Sequence, residues 1–77
     1  MESSMRVAVV TRKLKDHDTV VTEVIAVPSR LNDEEAQTFA DRELTRVQRQ
    51  FVRQFVEFTN AKWAVFIAPV CVSTQPA

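Results

Sequence analysis

Glycine is absent from this chain of 77 residues. That excludes the glycine loops that cradle phosphates, the dinucleotide fingerprint, and the calcium loop with its glycine at position six. The single cysteine, Cys71, allows no intrachain disulfide, and with the single histidine, His17, it cannot complete a tetrahedral zinc site within one chain. No long hydrophobic run is present. The longest, Trp63 to Val72, carries a proline inside it, and a membrane span needs about 20 apolar residues. Met1-Glu2-Ser3-Ser4 has no basic stretch, and the run from Val7 to Val10 is too short for a signal peptide. These absences predict a cytoplasmic protein without a membrane partner; a lone cysteine agrees with a reducing compartment. Neither sign of charge prevails: ten basic residues balance ten acidic ones. Gross charge therefore names no partner.

What is present is globular in kind, with 45% hydrophobic and 26% charged residues. One domain over 1–77 is expected, with an ordered core over about 5–72 and frayed ends. A chain this short buries only about 60–65% of its unfolded surface. Without disulfide or metal, added stability must come from close packing or from another chain.

Residues 5 to 12, Met-Arg-Val-Ala-Val-Val-Thr-Arg, are rich in β-branched side chains and predict a first strand. A polar connection over 13 to 18 leads to a second strand over 19 to 27, which Pro28 stops. Asn32 is a good helix N-cap, and Glu35 three residues on completes a capping box. Asp33, Glu34 and Glu35 put negative charge in the first turn, where the helix dipole favours it. Helical periodicity then continues to about Phe58, giving about 27 residues and about 40 Å, with Asn60 fit for the left-handed position after the helix. Residues 63 to 72 predict a third strand. The expected fold is α+β in the order ββαβ: a three-stranded, mainly antiparallel sheet with one long amphipathic helix on one face. A right-handed crossover past the first strand gives the sheet order 2-1-3.

The helix carries two contrasting faces. With Leu44 at zero, Ala40, Val47, Phe51, Phe55 and Phe58 fall within about 60° and predict the stripe that packs on the sheet. Phe39 falls well off that stripe. Arg42, Arg46, Arg49 and Arg53 stand at about 160°, 200°, 140° and 180°, opposite to it. Like charges four residues apart cost roughly 0.2–0.5 kcal/mol per pair, and Arg42/Arg46 and Arg49/Arg53 are such pairs. The arginine fork matches carboxylates and phosphates. The row, extended by Arg12, Lys13 and Lys15 of the hairpin and by Lys62, is therefore the candidate partner- or anion-binding surface. The pI near 6.6 lies far below that of nucleic-acid-binding domains, and no aromatic residue is interleaved with the arginines to stack on bases. An acidic protein surface is favoured, and nucleic acid is the alternative.

The third strand is apolar on both sides, with Trp63, Val65 and Ile67 alternating with Ala64, Phe66 and Val70. One helix covers one face only. An uncovered apolar face calls for a partner, and a symmetric homodimer is the commonest arrangement. Trp63, Val65, Phe66, Ile67 and Val70 are the candidate self-association residues.

No enzyme signature emerges. His17 between Asp16 and Asp18 reads as a solvated loop residue, and Cys71 lies among apolar neighbours that offer no base to activate a thiol. No catalytic residue, metal or cofactor is expected. The reading is a small binding module, an adaptor or an inhibitor, with a structural subunit of a larger assembly as a further alternative. In size and plainness the chain is similar to phage-encoded inhibitors of host machinery, a likeness that no motif carries.

Overall fold

The computed structural model describes residues 5–70. Cys71, Val72 and the two chain ends, read above as strand end and fraying, lie outside the described residues. The order is ββαβ: β1 spans Met5–Lys13, β2 Val20–Val27, α1 Asp33–Gln54 and β3 Lys62–Val70. Both strand pairings are antiparallel, and β1 is the central strand in the order β2-β1-β3. The chain turns from β1 into β2 with Asp16 at φ 69° and with the His17 amide donating to the Leu14 carbonyl. A turn that needs a left-handed residue in a chain without glycine falls to aspartate, which tolerates that region better than most side chains.

Register assigns the paired strand residues to a side. Ala8 stands between Ile25 and Ile67, and Val10 between Glu23 and Val65, on the side that α1 covers. The register slips between Val10 and Thr11, where Thr22 is the extra residue of β2. The core on the covered side is thin. Ala8, Val10 and Val27 of the sheet meet Ala36, Ala40 and Val47 of α1, all buried. Alanines of both layers meet in this core, and the helix backbone approaches β3 more closely than the central strand. Ile25, Leu31, Phe39, Val65 and Ile67 close the sides of this core.

The helix starts where the sequence places it. The Asn32 side chain accepts from the Glu35 amide at 2.8 Å, and Glu35 accepts from the Asn32 amide at 3.0 Å. Arg6 ties this end to β1, donating to Asp33 at 3.0 Å and to the Leu31 carbonyl at 2.6 Å.

It ends earlier than expected. α1 stops at Gln54, and Phe55 is extended (φ −134°, ψ 93°). A separate 3₁₀ turn follows over Val56–Asn60. This break returns Phe58 beneath the helix, 6.2 Å from Phe51 and 6.5 Å from Trp63 between ring centroids. The Trp63 indole then donates to the Phe58 carbonyl at 3.1 Å. At 22 residues the helix is about 33 Å long, shorter than the expected length of about 40 Å and close to the length of the strands it covers. Asn60 is not left-handed, because the turn before it has already ended the helix.

The packed side of α1 is also rotated from the expected stripe. Ala36, Ala40 and Val47 stand at about 280°, 320° and 300° on the scale that puts Leu44 at zero. Leu44 is therefore half-buried, and Phe39, at about 220°, reaches the edge of the core. No helix among the described residues is long and apolar enough to cross a membrane.

Candidate functional site: an arginine-lined helix face

The row Arg42, Arg46, Arg49 and Arg53 lies along one exposed side of α1. It borders a shallow depression that Thr45 and Gln50 also line. Because the packed side is centred near 300°, the row leans toward β2 instead of standing directly opposite the core. Arg46 shows the lean. Its Nε donates to Glu43 at 2.7 Å, and its second terminal nitrogen reaches Glu23 of β2 at 3.4 Å. The hydrogen bond with Glu43 comes first in raising the Arg46 pKa above its usual value, and the nearby charges of Glu43 and Glu23 add to it. A raised pKa on arginine keeps the charge at every ordinary pH.

The four arginines are therefore unequal. Arg46 is held by two carboxylates, which also relieves its repulsion with Arg42. Among the described residues, Arg42, Arg49 and Arg53 make no salt bridge. Arg53 stands in the last turn, where a cation suits the helix dipole. Arg42 and Arg49 are explained neither by a salt-bridge partner among the described residues nor by the dipole.

The hairpin bases do not join this row. Arg12 alternates with Ala8 and Val10 and so points to the covered side of the sheet. Its guanidinium lies 4.6 Å from the Phe58 ring centroid and 5.3 Å from that of Phe51, and donates to the Thr22 hydroxyl at 2.8 Å. Arg12 is a structural cation beneath the helix and is withdrawn from the candidate binding surface. Lys13 and Lys15 gather instead with Lys62 and Asn60 at the hairpin end of the sheet. Lys13 and Lys62 are register partners on the uncovered side.

The self-association set divides likewise. Trp63, Val65 and Ile67 share the covered side with Arg12, Val10 and Ala8, while Phe66 and Val70 lie on the open one. Trp63 packs on Phe51 and Phe58, and Val65 and Ile67 close the core. The open side holds residues that sequence reasoning did not single out: Met5, Val7, Val9, Val21 and Val24. Period-two alternation from Ala8 and Val10 would have found them.

Among the described residues, no three His, Cys, Asp or Glu side chains gather as metal ligands. No protein-family model matches this chain, and no curated protein or solved structure matches it significantly.

Proposed function

We propose that this protein is a non-catalytic interaction module, an adaptor or inhibitor, that acts as a homodimer and docks an acidic protein surface through the arginine-lined face of α1. The observation that carries the reading is the uneven neutralisation of the row. Glu23 and Glu43 hold Arg46, whereas Arg42, Arg49 and Arg53 keep their charge without a salt-bridge partner among the described residues. Overall charge is balanced, but the acids Asp33, Glu34 and Glu35 cluster in the first turn of α1. The other half of the helix is thus left locally cationic. A planar fork on a rigid helix suits carboxylates presented by a structured partner.

The test is titration of the full chain with a polyglutamate peptide and, separately, with a duplex oligonucleotide, each at low and moderate salt. The peptide is expected to bind, and to bind less well as salt rises. Arg49→Glu with Arg53→Glu should weaken that binding by about tenfold or more, with the circular-dichroism spectrum unchanged. Binding of the duplex alone, with a steep salt slope, would replace this reading with nucleic-acid recognition. Binding of neither probe would remove the arginine face from the function.

A further inference from the structure

The side of the sheet away from α1 is apolar in every inner row but one residue. Register places Val24, Val9 and Phe66 in a central row. Ala26, Val7 and Ala68 flank it on one side, and Val21, Thr11 and Ala64 on the other. Met5 and Val70 close one end; Lys13 and Lys62 close the other. This face is open to solvent on its outer strands, where Val21, Val24 and Phe66 are 57%, 55% and 52% exposed, while Val9 and Thr11 of the central strand lie buried between them. The Cα envelope is 18 Å in its shortest dimension, the thickness of one helix on one sheet.

We infer that the occupant of this face is a second copy of the chain, stacked sheet to sheet with its strands running opposite to those of the first. The inference rests on the homodimer clause of the proposed function and specifies it.

Area argues for full overlap. Three strands about 4.8 Å apart, at about 3.3 Å per residue, outline a footprint of roughly 15 by 30 Å. Two such faces with their side-chain relief bury roughly 1,000–1,200 Å² together, at the lower bound for a specific interface. A partial or crossed overlap would fall below it, so the two sheets must lie nearly aligned, as packed sheets commonly do.

Charge chooses the direction. A two-fold axis along the strands would bring Lys13 and Lys62 of both copies together, four ammonium groups on an apolar seam. A two-fold axis across the strands lays each lysine end over the Met5 and Val70 end of the other copy. That axis passes through the central row. Phe66 lies in that row between Ala64 and Ala68 on its own face, so the two Phe66 rings meet near the axis with room on either side above the small alanines.

The edge of β3 is a poorer surface for self-association. Pro69 has no amide hydrogen and stands opposite Arg6. It must therefore occupy a position not hydrogen-bonded to β1, which turns its missing donor toward the outer edge and interrupts any added strand.

The experiment is sedimentation equilibrium of the full chain over a range of concentrations, without any acidic ligand. The expected mass is twice the 8.8 kDa of one chain. Phe66→Lys, and independently Val24→Lys, should raise the dimer dissociation constant by about tenfold or more, with the circular-dichroism spectrum kept, since neither side chain belongs to the core under α1. Met5→Glu should preserve or tighten the dimer, because it faces the lysine end of the other copy. A monomer at every concentration overturns the inference. A dimer indifferent to both lysine variants overturns the face, and a dimer weakened by Met5→Glu overturns the direction. None of these outcomes bears on peptide binding by the arginine row, which fails or succeeds in its own titration.

Discussion

Arg6 and Arg12 bracket the buried part of the central strand. Each stands two residues from a buried apolar side chain, Ala8 or Val10, and each is satisfied by partners that lie far away in sequence. The alternation that puts them on the covered side is plain in Arg6-Val7-Ala8-Val9-Val10-Thr11-Arg12. Their partners are not, because Phe58, which reaches Arg12, lies 46 residues later in a separate turn. Charge alone groups Arg12 with the other bases, but the two rings and the Thr22 hydroxyl hold it beneath the helix. Replacing Arg12 with alanine removes a hydrogen bond and two ring contacts. It should cost about 2 kcal/mol, read in urea as a lowered midpoint with an unchanged slope. Arg12→Lys should recover only part of this, since a compact ammonium cannot span both rings and the Thr22 hydroxyl together.

At the level of elements, beginnings were easier to read than ends. The start of α1 is written in side chains that act locally: Asn32 and Glu35 satisfy orphan amides within three residues of each other. Asn32→Ala should therefore destabilise the fold by about 1 kcal/mol, measured as a drop in thermal midpoint, with Asn32→Asp close to the parent. The end of α1 has no such local signal. Neither glycine nor proline marks Phe55, and Phe51, Phe55 and Phe58 keep a helical spacing. A 3₁₀ turn also repeats every three residues, so Phe58 keeps its spacing from Phe55 although the path has changed. What stops the helix is tertiary, namely the ring cluster with Trp63. The packed stripe is centred away from the phenylalanines for a related reason. Phenylalanines dominate a hydrophobic tally, yet close approach to a strand is set by the smallest side chains, here Ala36 and Ala40. The four arginines of the helix row were legible as a set. Their inequality was not, because Glu23 comes to Arg46 from another element.

At the scale of the whole molecule, the strand order followed from two facts in the sequence, a hairpin and a single crossover helix. The two-sided apolar character of the third strand was equally readable, although which residues belong to which side required the register. The core beneath α1 is small for a chain that has no crosslink, and its most buried members are alanines and valines. Under the proposed sheet-to-sheet dimer, stability should then depend on the second copy. The thermal midpoint should rise with protein concentration, since association favours the folded chain by mass action. That rise should vanish in Phe66→Lys, leaving a lower and constant midpoint. Differential scanning calorimetry at several concentrations checks both.

The pairing of Met5 with Val70 has a mechanical consequence. These two ends of the described chain sit side by side at one end of neighbouring antiparallel strands. A tension applied through them draws β1 and β3 apart from that end, so the bonds between the strands carry the load one after another like a zipper, not all at once in shear. The sheet yields to a weak pull through Met5 and Val70, while the same sheet loaded from opposite ends of β1 and β3 would resist far more strongly.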